Sequence, residues 1–296
     1  MAVRLTAALL ALAAGVSALA LALLLLHDTP GPVSSAPALP VAVAPAAPQP
    51  SFPAPPAGAV VFSREAGPNA LALAVTASSV QVSVVGQQGN GVSGLAVTVN
   101  GRATAACGTG CYRAAVAHAH DVSVHVGTTS WRVVVPSDAR DASAIVARAG
   151  HVWRSLKTVA FSDRLGSDAT HVVVSEWRAV APDRLAYRIR DGYQAVIVGG
   201  KRWDRAPHGK WIESTQTAPV TQPVPVWQSA TDAHVVREIG ATLWVTFFDP
   251  KTPAWFEITV DARTLRTLDL RMIATAHFMH ERYRSFDAPL SIMPPT

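Results

Sequence analysis

The stretch from Ala181 to Ser214 constrains the fold most, because its residues alternate and turn as consecutive antiparallel strands do. Leu185, Tyr187 and Ile189 occupy alternate positions, and a period of two residues is typical of a strand with one buried face. The segment predicts a meander with one apolar, aromatic face and one basic face, which covers either a helix or a lipid-like ligand. The predicted turns are Asp191-Gly192, Gly199-Gly200 and Ala206–Lys210, the last flanked by Trp203 and Trp211.

An amphipathic helix is predicted before this meander. Ser137-Asp138 is a favourable N-cap, and Ala149 and Trp153 share one face of a helix of about 20 residues. Strands follow as far as the C-terminus, except in the proline-rich loop at 215–226, which is either a mobile flap or an inert surface loop. Residues 137–296 are thus predicted to form a mainly β, α+β domain in which a curved antiparallel half-barrel sheet packs on the helix.

Residues 59–136 are predicted to form an immunoglobulin-like β-sandwich. Seven short candidate strands follow one another there at intervals of about 8 to 12 residues. Gly89–Gly94 spells the glycine motif of dinucleotide-binding folds, but a strand rather than a helix follows it, so we interpret it as a loop. The candidate strands are Val60–Arg64, Ala70–Thr76, Val80–Val85, Leu95–Asn100, Tyr112–Ala117, Asp121–Val126 and Ser130–Val135.

Two segments precede the sandwich. Residues 5–26 carry no charge, and a helix of that length, at about 1.5 Å per residue, would cross a hydrocarbon core of roughly 30 Å. Residues 1–27 are therefore predicted to be a single-pass transmembrane anchor, with a cleaved signal peptide as the alternative. Arg4 favours an N-inside orientation, which places the folded part outside the cell membrane. Residues 28–58 are rich in proline and alanine and are predicted to be an extended linker.

The two cysteines, Cys107 and Cys111, enclose a short loop with two glycines. Because the compartment outside the membrane is oxidising, a disulfide between them is the favoured prediction. Copper or zinc binding by the two thiols, together with His118 and His120, is the alternative. The strand pattern and the segment from Cys107 to Arg113 resemble the small exported β-sandwich domains of the YtkA or CopC kind, which accompany copper-handling membrane proteins.

Seven of the eight tryptophans lie in the region after residue 137. Large aromatic side chains bury roughly 150 to 250 Å² each, so this number requires either an aromatic core or a lined cavity. We predict that nine aromatic residues line a ligand cavity, with simple packing between sheet and helix as the alternative. These residues are Trp153, Trp177, Tyr187, Tyr193, Trp203, Trp211, Trp227, Trp244 and Trp255.

The C-terminal region also carries a set of turn and aromatic motifs that follow its initial helix. They are Pro182-Asp-Arg-Leu185, Ile197-Val-Gly-Gly200, the Trp203 hairpin ending in Gly209-Lys-Trp211, and Trp255-Phe-Glu-Ile-Thr-Val-Asp261 with a turn at Thr264. In this set the region resembles the LolA/LprG lipoprotein-carrier superfamily. The resemblance implies an open half-barrel sheet that curls over helices and holds acyl chains in the space between. A membrane helix and an added sandwich depart from that family, and a tethered protein cannot diffuse away with its cargo.

Composition and motifs argue against other function classes. Charged residues are only 15% of the chain, the net charge is +5 and no run of basic residues occurs, so nucleic-acid binding is not expected. No nucleophile elbow, P-loop lysine or HExxH helix is present in the sequence. We therefore expect that the protein is not an enzyme and that it has no cofactor and no metal site. We interpret His277 and His280 as ordinary sheet histidines and Asp249 as a residue that caps a turn.

The sequence as a whole favours a membrane-anchored, extracytoplasmic protein that binds a lipid or another hydrophobic small molecule in its C-terminal half-barrel. Contact with the membrane is expected through the N-terminal helix. The alternative is an envelope interaction or sensing module, associated with copper handling or stress signalling, that engages a membrane-protein partner and holds no lipid.

Overall fold

The computed structural model of the chain describes residues 53–87, 89–166, 171–216, 220–274 and 277–296. Over these ranges the chain is mainly β, with twenty-one strands and one short helix, α1 (Ser143–Ser155), in a compact unit that extends from Pro50 to Thr296. None of the helical structure in these ranges is long and apolar enough to cross a membrane. The segment predicted to be an anchor, residues 1–27, lies outside the described residues.

The N-terminal part of this unit is a sandwich of two antiparallel sheets. Its strands are β1 (Val60–Ala66), β2 (Asn69–Val75), β3 (Ser79–Gly86), β4 (Val97–Val99), β5 (Arg102–Ala103), β6 (Ala105–Gly108), β7 (Cys111–Ala115), β8 (Asp121–Val126) and β9 (Thr129–Val134). One sheet has the order β1-β2-β3-β7-β6 and the other the order β5-β4-β8-β9. All seven predicted strands are present, and residues 89–94 belong to the predicted loop between β3 and β4.

The sandwich core lies between these two sheets. Leu73 and Val82 from one sheet and Val124 from the other are fully buried there, because every second residue of these strands points inward. Cys107 and Cys111 form the predicted disulfide, which joins β6 to β7. The sulfur atoms are therefore bonded to each other and are not thiolate ligands for a metal.

The C-terminal part of the unit is one large antiparallel sheet. Its strands are β10 (Arg140–Asp141), β11 (Thr158–Gly166), β12 (Val172–Val180), β13 (Arg184–Ile189), β14 (Gln194–Val198), β15 (Lys201–Arg205), β16 (Ile212–Thr215), β17 (Thr231–Ile239), β18 (Thr242–Asp249), β19 (Ala254–Asp261), β20 (Thr267–Ala274) and β21 (His277–Arg284). Their order is β10-β17-β18-β19-β20-β21-β11-β12-β13-β14-β15-β16. The sheet ends at β10 on one side and β16 on the other, so it is not a closed barrel.

The predicted meander is confirmed as strands β13 to β16. Strand β13 pairs with β14, where Tyr187 lies opposite Ala195, and β14 to β16 continue the antiparallel pattern. The chain reverses at Asp191 and Gly199, whose φ angles are +54° and +59°. Aspartate and glycine are among the residues that tolerate this left-handed backbone region, so the turn residues fit the turns.

Helix α1 begins later and is shorter than the sequence predicted. Ser137-Asp138 does not cap it, because Arg140 and Asp141 form β10 and pair with β17. Backbone groups that are bonded in a sheet cannot also make helical hydrogen bonds, and α1 therefore starts at Ser143. The Oδ1 atom of Asp141 accepts hydrogen bonds from the backbone nitrogen and the Oγ atom of Ser143, at 3.2 and 2.6 Å.

The pairing register divides the large sheet into two faces. The helix face turns toward α1 and includes the stacked pair Phe247 and Phe256. The opposite side, the sandwich face, packs against alanine and valine side chains on the outer side of β1, β2 and β3. The residues of the sandwich face that make this contact are Phe248, Trp255, Ile273 and Phe278. Both faces are buried here, and the sandwich and the large sheet share one apolar interface.

Loss of a large side chain from this interface should destabilise the sandwich and the large sheet together. We expect Phe278→Ala to lower the free energy of unfolding by about 3–5 kcal/mol, because Phe278 is fully buried and its removal leaves a cavity. Urea unfolding followed by tryptophan fluorescence and by circular dichroism should show one shifted transition. Val134→Ala, at a side chain that is 68% exposed, is the control and should change stability by less than about 0.5 kcal/mol. Unfolding of the variant in two separate steps would contradict the shared interface.

Candidate functional site

Four aromatic side chains cross the centre of the helix face in a row. Tyr283, Phe161, Trp177 and Tyr187 stand opposite one another on β21, β11, β12 and β13. Their neighbouring ring centroids are 5.5, 5.8 and 4.5 Å apart, and all four side chains are buried. We call these residues the aromatic row. Such a ladder of cross-strand contacts forms a continuous apolar surface.

Two carboxyl groups lie beside the aromatic row. Asp163 of β11 and Glu281 of β21 are direct cross-strand partners, and each is only 5% exposed. The hydroxyl of Tyr283 donates a hydrogen bond to Oε2 of Glu281. Ser175 stands opposite Asp163 on β12, and its Oγ atom accepts a hydrogen bond of 2.7 Å from Nε1 of Trp177. The Oδ1 atom of Asp163 has no hydrogen-bond partner in the described part of the chain.

Burial raises the pKa of both members of this carboxyl pair. Loss of hydration raises the pKa of Asp163 to about 7, although a hydrogen bond from Ser175 acts in the opposite direction. Loss of hydration, and to a smaller extent repulsion from Asp163, raises the pKa of Glu281 to about 8. The hydrogen bond from Tyr283 acts in the opposite direction and lowers this pKa. Two negative charges at neighbouring positions in an apolar surrounding repel each other, so ionisation of both carboxyl groups is unfavourable. The carboxyl pair therefore holds a proton at neutral pH.

Helix α1 covers one end of the aromatic row. Val146, Ala149 and Trp153 are buried on one side of the helix, at the three- and four-residue spacing of an amphipathic helix. The indole of Trp153 meets the ring of Tyr283 edge-on, with centroids 4.8 Å apart. The Nε1 atom of Trp153 is also buried without a hydrogen-bond partner among the described residues. A second unpaired polar atom is therefore present under the helix.

A second cover is formed by residues 220–230, which we call the strap. The strap belongs to no strand, yet its Trp227 is buried and lies edge-on to Phe247 with centroids 6.0 Å apart. Near its other end, the backbone nitrogen of Gln222 donates to the carbonyl oxygen of Pro182 at 2.9 Å. The strap therefore joins the turn between β12 and β13 to the region of β18. Residues 220–226 of the loop predicted as a flap thus belong to the strap, and Val220 among them is buried.

Asp249, at the end of β18, fastens the strap to the sheet. Its fully buried carboxylate accepts hydrogen bonds from the backbone nitrogens of Gln228 and Ser229, at 2.7 and 3.2 Å, and from the Ser229 hydroxyl. It also accepts hydrogen bonds from the turn at Lys251 and Thr252. Burial by itself would raise the pKa of Asp249, but these hydrogen bonds outweigh it and lower the pKa. The predicted turn cap is confirmed, and it also holds the strap.

The structure does not bring the nine predicted cavity residues together. Four of them belong to the helix face or its cover: Trp153, Trp177, Tyr187 and Trp227. Three point to the opposite side of the sheet: Trp203, which donates to Glu213, Trp244, which lies under Arg237, and Trp255, which meets the sandwich. Two lie outside strands: Tyr193 before β14, and Trp211, whose ring is 4.7 Å from the guanidinium of Arg205.

Sequence reasoning missed half of the aromatic row and the whole carboxyl pair. Phe161 and Asp163 are two residues apart on β11, as Glu281 and Tyr283 are on β21. The period of two residues therefore predicts that the two side chains on each strand point to the same face. The register between β11 and β21 is what joins the two pairs. A period of two in one strand gives no information about its distant partner.

Two pockets of the described part lie away from the aromatic row. One, of about 620 Å³, is on the sandwich beside Gly86, Gln87 and residues 90–93, and the other, of about 420 Å³, lies between α1 and the β19–β20 turn. None of the nine predicted cavity residues lines either pocket. The described residues contain no group of three or more metal-ligating side chains. His280 lies on the sandwich face with its Nε2 atom 2.8 Å from Asp269.

Comparison with known proteins gives a distant structural similarity. No family model and no curated protein matches the sequence. Among solved structures, a LolA superfamily protein from Nitrosomonas europaea aligns with a TM-score of 0.26 and 9% identity, over 53% of this chain and 96% of that protein. The LolA superfamily is also the family that the C-terminal motifs resemble, but a similarity at this level assigns no family. These comparisons do not support a YtkA/CopC-like sandwich.

The strap should loosen when its anchor loses its charge. We expect Asp249→Asn to lower the free energy of unfolding by about 1.5–3 kcal/mol, because charge-assisted hydrogen bonds to a buried carboxylate are replaced by weaker ones. Amide hydrogen exchange in residues 220–230 should become faster. Asp261→Asn is the matched control, since Asp261 caps the Thr264 turn at the surface and touches no strap residue. Unchanged exchange in the strap of Asp249→Asn would show that Asp249 is not its anchor.

The carboxyl pair should make the fold less stable as pH rises. In the unfolded chain both groups lose their protons near pH 4, whereas the folded chain keeps them up to pH 7 or 8. The unfolded state therefore binds fewer protons in this window, and stability falls by up to about 1.4 kcal/mol per pH unit for each group. Urea unfolding at about pH 5 and pH 8 should show a smaller fall in the Asp163→Asn, Glu281→Gln double variant. The exposed Glu176→Gln change should leave the wild-type pH dependence intact.

Proposed function

We propose that this protein binds a hydrophobic small molecule, such as a lipid, on the helix face of its large sheet, beneath α1 and the strap. The observation that carries the proposal is the aromatic row with the strap packed near it. The row is built on four adjacent strands, so its position is fixed by the sheet. The strap is held by a few hydrogen bonds at Gln222 and Asp249 and makes no strand pairing.

Access to the helix face at Phe247 and Phe256 requires that the strap moves, since Trp227 packs on both rings. Segments without strand pairing open at a lower free energy than the core of a sheet does. Release of the strap at Asp249 would uncover Trp227 and the rings next to it without separating any strands. A ligand could then replace the contacts that the strap makes with Phe247 and Phe256. This is the arrangement expected of a site that is closed in its empty state.

The proposal also places the folded unit outside the cell membrane, tethered by residues 1–27. Two features support this placement. The charge-free run at 5–26 is long enough to span a bilayer. The disulfide between Cys107 and Cys111 suits an oxidising compartment.

Binding of an uncharged hydrophobic probe tests the proposal. The full chain is titrated with N-phenyl-1-naphthylamine, whose fluorescence increases in an apolar site. We expect saturable binding of about one probe per chain, and displacement of the probe by lipids extracted from the membranes of the expressing cells. Mass spectrometry of an organic extract of the purified protein should show the bound lipid. Absence of saturable binding, with a stoichiometric membrane protein in pull-downs, would favour the interaction module instead.

Two tryptophan variants locate the probe on the sheet. We expect Trp177→Ala to weaken probe binding by about tenfold, equal to about 1.4 kcal/mol, because it removes the centre of the aromatic row. Trp244→Ala removes the same side chain from the opposite face and should leave the affinity unchanged. Trp177→Phe keeps an aromatic ring and guards against loss of the fold. Equal effects of Trp177→Ala and Trp244→Ala in folded proteins would exclude the aromatic row as the site.

A further inference from the structure

We propose that the carboxyl pair Asp163 and Glu281 is the site for the head group of the ligand, and that this head group is a protonated amine. The inference rests on the proposed function and specifies its ligand as a cationic amphiphile. It is carried by the position of the pair on the helix face, by the unpaired Oδ1 atom of Asp163 and by the neighbouring aromatic rings.

The pair lacks the cation that buried carboxyl groups usually have. Within the described ranges no arginine, lysine or histidine forms an ion pair with Asp163 or Glu281. Arg202 lies on the same face, but its guanidinium is held by Asp204 at 2.6 Å and by the Tyr187 hydroxyl at 3.3 Å. Buried carboxylates are almost always paired, because an unpaired charge in an apolar surrounding is costly. The pair is thus suited to a positive charge that the chain itself does not supply.

The hydrogen bonds of the pair leave one position open. The Tyr283 hydroxyl donates to Glu281, and Ser175 donates to Asp163 while its own Oγ accepts from Trp177. The Oδ1 atom of Asp163 receives nothing in the described part of the chain. Asp163 is only 5% exposed, so its unpaired oxygen gains stability from a ligand group that donates a hydrogen bond and not from one that accepts it. An ammonium group has three donors and a charge of the required sign.

The surroundings of the pair fit both parts of an amphiphile. On one side lies the aromatic row, and aromatic faces attract cations within about 6 Å of the ring centroid. On the other side Leu165, Met272 and Met279 form an apolar patch of adjacent cross-strand residues. This patch would contact a hydrocarbon chain whose head group sits between Asp163 and Glu281. The ammonium charge would take the place of the proton that the pair otherwise holds, and that proton would leave to solvent.

Three ligands with the same chain and different head groups test this inference. Dodecylamine, dodecanol and dodecanoate are compared as competitors of N-phenyl-1-naphthylamine on the full chain, below their micelle concentrations. We expect dodecylamine to bind at least about tenfold more tightly than dodecanol, a difference of about 1.4 kcal/mol, and dodecanoate to bind most weakly. Equal affinities for the three, or tightest binding of dodecanoate, would overturn the head-group site and leave the proposed function standing. Failure of the probe itself to bind would instead refute the proposed function.

Neutral isosteric variants then assign the preference to the pair. Asp163→Asn and Glu281→Gln, singly and together, should reduce the advantage of dodecylamine over dodecanol to about threefold or less, or under about 0.7 kcal/mol, while dodecanol binding is retained. Glu257→Gln is the control, because Glu257 is a largely buried carboxyl on the sandwich face. Circular dichroism confirms that each variant is folded. If the amine preference persists in the folded double variant, the head group lies elsewhere.

Discussion

The large sheet contains strands in which two neighbouring residues are both apolar and both buried. The need to cover both faces of these strands determines the rest of the structure. Because adjacent side chains of a strand point to opposite faces, such pairs need cover on two sides. The pairs are Phe247-Phe248, Trp255-Phe256, Met272-Ile273 and Phe278-Met279. The sandwich covers one face over a wide apolar interface, and the other face is left to a 13-residue helix and the strap. The two covers therefore differ in strength, and the weaker one lies on the face that carries the aromatic row.

This difference connects the fold to the proposed function. A face covered by a folded sandwich opens only when many side chains lose contact at once, whereas the strap depends on the packing of Trp227, on Asp249 and on a few backbone hydrogen bonds. Local opening follows the weakest cover of a structure. In the proposed function, a ligand would take over the contacts that the strap makes with Phe247 and Phe256, while the rest of the sheet stays intact. The prolines of the strap limit its own pairing, since proline has no backbone donor.

Features that depend on local chemistry could be predicted from the sequence. Features that depend on the pairing of strands distant in the chain could not. The turns at Asp191 and Gly199 and the alternation in the sandwich strands were sufficient to place the meander and the seven strands. The start of α1 was wrong because Arg140 joins β17, far along the chain. Trp177 and Trp203 look alike in sequence, but the register places them on opposite faces. The strap contacts had no sequence signal beyond the prolines, since Asp249 reads as an ordinary turn residue.

The carboxyl pair is the feature that packing alone does not explain. A buried polar pair can fix the register of two strands, and the pairing of Asp163 with Glu281 would serve that purpose between β11 and β21. A pair kept only for register, however, is most stable when each polar atom is bonded, because an unpaired buried acceptor lowers stability. Asp163 is only 5% exposed, and its Oδ1 atom is still unpaired among the described residues. Apolar residues of similar size at these two positions would avoid that cost, so the presence of the pair favours a role in which the open acceptor is used.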